Sequence, residues 1–183
     1  MGTILRCAAL LAALLSVGVA TAAAQLSKVT LGAAAGLLLP TGEYASQDKL
    51  GWLASARGAY WLGSGKLGVR GEVSYGETTH DTTAGSTKVV GGMASLVYAL
   101  GTSTASTRPY LMGGVGFYSV DVSVTGFGSA SESKVGFGVG AGVSFKMGAG
   151  GRRWFAETRY TTISTSGAST TFLPIVVGIS LGK

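Results

Sequence analysis

The chain has 183 residues, of which 46% are hydrophobic and only 12% charged, with 14 Lys+Arg against 8 Asp+Glu and a formal net charge of +6. A soluble domain carries roughly 25% charged residues, so this composition argues against an ordinary fold whose whole surface meets water. The basic excess does not mark a nucleic-acid binder, because no basic cluster with interleaved aromatic residues accompanies it.

Residues 1–24 have the order of a secretory signal peptide: Arg6, an apolar run from Ala8 to Ala20, then Thr21-Ala22-Ala23-Ala24 before Gln25, the expected cleavage point. The run is shorter than the ~20 residues a helix needs to span a bilayer. Cys7 follows Arg6 and precedes the apolar run, the reverse of a lipoprotein signal. It leaves with the leader, and residues 25–183 then contain no cysteine for disulfides or thiolate chemistry. Those residues are expected to form one domain with a net charge of about +5, Arg6 being lost. Past residue 24, Gly, Ser, Thr or a charge interrupts every apolar run before ~18 residues, which excludes membrane helices. A closed β-barrel is the other structure that satisfies its backbone groups within lipid.

Period-two alternation marks eight strands in chain order. The first two, Val29 to Leu39 and Trp52 to Leu62, are weak; the third sets Leu67, Val69, Gly71, Val73 and Tyr75 against Gly68, Arg70, Glu72, Ser74 and Gly76. Val89 to Leu100 and Pro109 to Val120 follow. The sixth sets Val135, Phe137, Val139, Ala141, Val143, Phe145 and Met147 against four glycines, Ser144 and Lys146. The seventh opposes Trp154, Ala156, Thr158 and Tyr160 to Phe155, Glu157, Arg159 and Thr161, and the eighth runs from Phe172 to Leu181. Each is near the ~9–11 residues of a tilted membrane strand. The expected class is therefore all-β, a single antiparallel up-and-down transmembrane barrel.

Connections are expected to be long at 41–50, 77–87 and 121–133, short at 63–66 and 148–153, and intermediate at 101–107 and 164–170. Outer-membrane barrels keep short turns on the periplasmic side, which puts the loops around Gln47, Thr83 and Gly128 outside the cell and the turns at Gly65 and Gly150 within it. Aromatic residues gather near strand ends and predict two interfacial girdles, with Tyr60, Tyr98 and Trp154 (beside Trp61, Tyr110 and Phe145) at the short turns and Trp52, Tyr75 and Tyr160 (beside Tyr118) toward the loops.

The strand patterns Pro109-Tyr-Leu-Met-Gly-Gly-Val-Gly-Phe-Tyr118, Trp154-Phe-Ala-Glu-Thr-Arg-Tyr160 and Phe172-Leu-Pro-Ile-Val-Val-Gly-Ile179 make the chain after the leader resemble the small eight-stranded outer-membrane β-barrels, the OmpA-like and OmpX-like domains. The resemblance implies architecture and a place in the outer membrane rather than an activity. Its implied partners are outer-membrane lipid and lipopolysaccharide, with the export and barrel-assembly machinery; it implies no cofactor. The sequence ends Leu181-Gly182-Lys183 without the terminal aromatic common in that class, and no peptidoglycan-anchoring domain is expected after it.

The polar face carries Arg57, Arg70, Glu72, Lys146, Glu157 and Arg159, expected to form a lumen network that closes the barrel. Strands three and seven lie opposite in an eight-stranded ring, which sets Arg70 against Glu157 and Glu72 against Arg159 at similar depths. The plainer alternative is a set of lining charges solvated by trapped water. The glycines of the sixth strand leave two possibilities open: room for long side chains, or a widened pore.

Other motifs carry little. Gly63-Ser-Gly-Lys-Leu-Gly68 has the GxGxxG spacing but precedes a strand, not a helix, and reads as a turn. His80-Asp81, in a Thr-rich loop near Glu77, lacks further metal ligands and reads as exposed loop chemistry. Membrane-barrel hydrolases use His with Ser or Asp, but the single His has no nucleophile motif around it, so no enzyme is expected. The leading reading is a structural or surface-interaction barrel with a filled lumen. Its alternatives are a narrow pore for ions or small solutes and a soluble periplasmic lipocalin-like barrel with apolar rows turned inward.

Overall fold

The computed structural model describes residues 28–42, 48–80, 85–124, 128–148, 150–164 and 169–182. The leader, Gln47, Asp81 and Thr83 lie outside them. Eight strands follow one another: β1 (Val29–Thr41), β2 (Gly51–Leu62), β3 (Leu67–Thr79), β4 (Gly85–Ala99), β5 (Thr107–Val124), β6 (Gly128–Lys146), β7 (Arg152–Ser164) and β8 (Ser169–Gly182). Each pairs antiparallel with the next, and β8 pairs with β1 from Gly182↔Thr30 to Thr171↔Thr41, closing the ring.

Several strands outrun the lengths expected of them. β5 has 18 residues and β6 19, so the expected loop 121–133 is replaced by a continuing ladder from Asp121↔Ser131 to Val124↔Gly128. Gly128 is thus strand rather than loop. Likewise Thr78↔Thr87 and Thr79↔Ser86 extend β3 and β4 into the expected loop 77–87. Beyond an apolar band both faces of a strand meet water, so hydrophobic alternation ends while Thr, Ser and Val still favour extended backbone. The β5–β6 hairpin rises past its neighbour, because β7 pairs with β6 only from Gly136↔Ile163 to Lys146↔Arg153. At the other end, the Gly63–Lys66 turn uses positive φ at Gly63 (46°) and Gly65 (76°), with Gly65 N–H donating to Leu62 O at 2.8 Å. The GxGxxG spacing is this hairpin turn followed by β3.

Parity decides the two faces. β4 alternates buried and exposed along almost its whole length, and around the barrel the exposed face carries many large apolar side chains, including Phe117 of β5 (72% exposed), Val139 of β6 (64%) and Val73 of β3 (61%). So large an exposed apolar surface suits lipid, not water. It overturns the lipocalin-like alternative, which needs the apolar rows inside. Trp52 and Tyr60 are eight residues apart on β2. At ~3.3 Å per residue and a tilt near 40° they bracket a band about 20 Å tall, close to the ~25 Å apolar belt of a membrane barrel.

Candidate functional site in the barrel lumen

Inward parity places Arg57 on β2, Arg70 and Glu72 on β3, and Glu157 and Arg159 on β7 in one central layer. Arg70 Nη1 donates to Glu157 Oε2 at 2.7 Å, and Arg159 Nη1 to Glu72 Oε1 at 2.9 Å. Arg57 joins the pairs: Nη1 donates to Glu157 Oε2 at 2.8 Å, and Nη2 makes an ion pair with Glu72 Oε2 at 2.8 Å without aligning an N–H on that oxygen. All five side chains are 8% exposed or less. Ionised groups so buried need partners to offset lost hydration. Three guanidiniums against two carboxylates leave the layer one positive charge in excess, partly met by the Phe155 ring 4.4 Å from Arg57 Cζ.

Neighbours that the sequence did not single out complete the layer. Tyr110 donates its hydroxyl to Glu157 Oε2 at 2.8 Å, and the Met112 sulfur lies against Arg70 Nη2. Both side chains come from β5 and lie over the glycines of β6. A Cβ at Gly142 would overlap the Tyr110 ring, and one at Gly140 would stand 2.8 Å from Met112 Cε. Toward the loops, a Cβ at Gly136 would stand 2.8 Å from the Tyr118 ring. The glycines therefore hold neighbouring side chains flat against the wall and do not widen a channel. Apolar packing flanks the charges on both sides, with Leu38, Leu53, Tyr118, Ile163 and Phe172 toward the loops and Val97, Tyr110 and Met112 toward the short turns. The void enclosed by Arg57, Glu72, Glu157 and Arg159 is only about 10 Å³, at the lower limit for a single water.

Lys146 does not join this layer. It is the last residue of β6, inward by parity but exposed at the mouth, where its ammonium reaches water. At that mouth lie two arginines just outside the strand boundaries read from sequence, Arg108 before Pro109 and Arg153 in the turn 148–153. Arg108 stacks on Trp61 (4.5 Å) and donates to Gly65 O, and Arg153 donates to Ala105 O at 2.9 Å and to Ser144 Oγ at 3.1 Å.

Of the aromatics expected in the girdles, Trp52, Tyr60, Tyr75, Tyr98, Trp154 and Tyr160 point outward, exposed by 37–50%. Trp52 lies 5.5 Å from Tyr75, and Phe145 stacks on Trp154 at 4.2 Å. Trp61, Tyr110 and Tyr118 are corrections, since their parity turns them inward. Trp61 Nε1 donates to Thr30 Oγ1 at 3.2 Å, and Tyr118 is 2% exposed. His80 is likewise not a freely exposed loop residue. It bridges to Asp48, and its Nε2 is 3.1 Å from Thr87 Oγ1 and 3.8 Å from Asp48 Oδ1. Both contacts use the same nitrogen, so the three do not form a relay, and no metal-binding cluster occurs among the described residues.

A family model for the outer membrane protein beta-barrel domain matches residues 8–180. Among solved structures, neisserial surface protein A aligns over 85% of this chain and 97% of its own, with TM-score 0.65 and 18% identity. The N-terminal β-barrel domain of Pseudomonas aeruginosa OprF gives 0.53 and 17% over 85% and 98%. The outer membrane enzyme PagL gives 0.55 and 16% over 84% and 99%. At these identities the likeness is one of fold. No curated protein matches the chain.

Proposed function

Because the chain belongs to the outer membrane protein β-barrel family, we propose that it serves that membrane as a closed barrel, structural or surface-interacting, and not as a conduit. The observation that carries this reading is the five-residue charge layer with its void of about 10 Å³, which leaves no water-filled path at mid-membrane. The pore alternative loses its main support, since the β6 glycines are covered by Tyr110, Met112 and Tyr118.

In this reading the leader is cleaved after Ala24, the short turns face the periplasm, and the extended β5–β6 hairpin stands outside among lipopolysaccharide. Export and barrel-assembly machinery are its partners in biogenesis. The fold is shared with an outer membrane enzyme, PagL; in this chain His80 is held by Asp48 and Thr87 through the same ring nitrogen, and we assign it a structural place. Planar-bilayer recording of the purified protein tests the proposal. We expect no stable unitary conductance, and a saturable one would overturn the closed-barrel reading in favour of the pore.

A further inference from the structure

The charge layer ends about halfway along the lumen, and the short-turn half holds a different chemistry. Below Arg57 and Arg70 lies a chamber of about 90 Å³ walled by Trp61, Val97, Tyr110 and Phe155. It shares Thr30, Trp61, Arg108, Arg153 and Ser180 with an outer mouth of about 480 Å³, to which Lys28 and Lys146 add two more cations. The hydrogen-bond acceptors of Arg108 and Arg153 are all neutral: Gly65 O for the first, and Ala105 O, Ser106 O and Ser144 for the second. Arg108 is 7% exposed, and its buried Nε has no partner.

The distribution of carboxylates makes this asymmetry extreme. Of the described ones, Glu72 and Glu157 belong to the central layer, and Asp48, Glu77, Asp121 and Glu132 lie at the opposite end. Among the described residues, none stands at the short-turn mouth. Four cations share this cavity, Arg108 and Arg153 in its lining and Lys28 and Lys146 at its wet rim, and with no counter-charge among the described residues there they repel one another. Arginine forks match phosphate and carboxylate oxygens bidentately.

We propose that the short-turn mouth binds a small anion through a phosphate or carboxylate group, held by Arg108 and Arg153 against the Trp61 face and stopped from passing further by the central layer. Two sources share this chemistry, a free anion in solution and the headgroup of an anionic phospholipid in the adjacent leaflet. Binding itself does not depend on which way the barrel faces or on whether it conducts.

The test is calorimetric titration of inorganic phosphate, at low ionic strength, into the full-length folded protein in zwitterionic detergent. One saturable site is expected, weakened by added salt. Arg108→Gln with Arg153→Gln should weaken it by about tenfold or more for each arginine removed, while Lys88→Gln, on the far half of β4, should leave it unchanged. If the double variant does not fold, Ser180→Glu, which places a carboxylate beside Arg153, should abolish the site by supplying the counter-charge internally. Repeating the titration in phosphatidylcholine nanodiscs with and without phosphatidylglycerol separates the sources. Competition by phosphatidylglycerol assigns the site to a headgroup, and equal affinity assigns it to a free anion. Absence of saturable binding, or binding that survives both arginine substitutions in a folded barrel, overturns the proposal.

Discussion

Replacing Glu72 and Glu157 with Gln keeps side-chain shape while removing both carboxylates from the central layer. Glu157→Gln alone leaves Arg70 with no carboxylate, since Glu157 is its only ion-pair partner among the described residues, whereas Arg57 keeps Glu72. Glu72→Gln alone strands Arg159 in the same way while Arg57 keeps Glu157. Leaving a buried charge without its partner costs about 3–5 kcal/mol. For a domain of this length each kcal/mol moves the unfolding midpoint by about 2–4 °C, so each single variant should lose about 6–20 °C. The double variant should lose more than the two losses added together, because only there does Arg57 lose both partners and three guanidiniums face one another uncompensated. The assay is heat-dependent gel mobility of the detergent-folded barrel, with bilayer conductance alongside. Three cations that draw in water should open an ion leak in the double variant. Unchanged midpoints and conductance would show the charges to be passive lining, and losses that merely add would remove Arg57 from its bridging place.

Other expectations follow from the same geometry. Gly142→Val pushes a branched side chain into the Tyr110 ring and away from Glu157, and overpacking of this kind costs about 1–3 kcal/mol; an unshifted unfolding midpoint would contradict the flat placement of Tyr110. Trp154→Ala removes a ring stacked on Phe145 and should cost about 1 kcal/mol from the stack alone, read as slower folding into lipid vesicles, and a rate equal to the parent would refute a girdle role. With the leader removed, the chain lacks cysteine, so Ser123→Cys and Ser103→Cys each give a single label site. An impermeant maleimide should reach position 123 on intact cells and position 103 only after the outer membrane is opened; the reverse pattern would invert the proposed orientation.

The strands were legible where one face had to meet lipid. β3 and β6 alternate because Val69, Val73, Phe137 and Val139 point outward while charges and glycines point in. Legibility failed at both ends of that band. Asp121 to Ser123 and Ser86 to Thr87 look like loop because polar residues crowd them, with Val122 the one apolar side chain, yet their backbone groups continue the ladder. Arg108 and Arg153 were passed over because each stands at the first inward position of its strand, beside residues that read as turn. Adjacent aromatics raise a related difficulty, since Tyr60 and Trp61 cannot both face lipid and only parity counted through the strand separates them. The charges on strands three and seven could be placed by parity and depth, since opposite strands of an eight-membered ring share a level. The contribution of β5 could not, because a glycine row says that something large lies near without saying whether it is Tyr110, Met112 or water.

The seam between β1 and β8 bears on how the molecule comes apart. Twelve register pairs, from Thr30↔Gly182 to Thr41↔Thr171, join segments at opposite ends of the chain. Until they meet, the sheet has two raw margins whose amides and carbonyls no lipid can satisfy. A half-zipped intermediate therefore has no comfortable place in the bilayer, and opening the seam commits the remaining ladders to failure with it. The lifetime of the folded protein should thus be set by one high barrier more than by the depth of its free-energy minimum, and the rate at which detergent-folded barrels unzip, not their equilibrium midpoint, is the quantity that seam substitutions should move most.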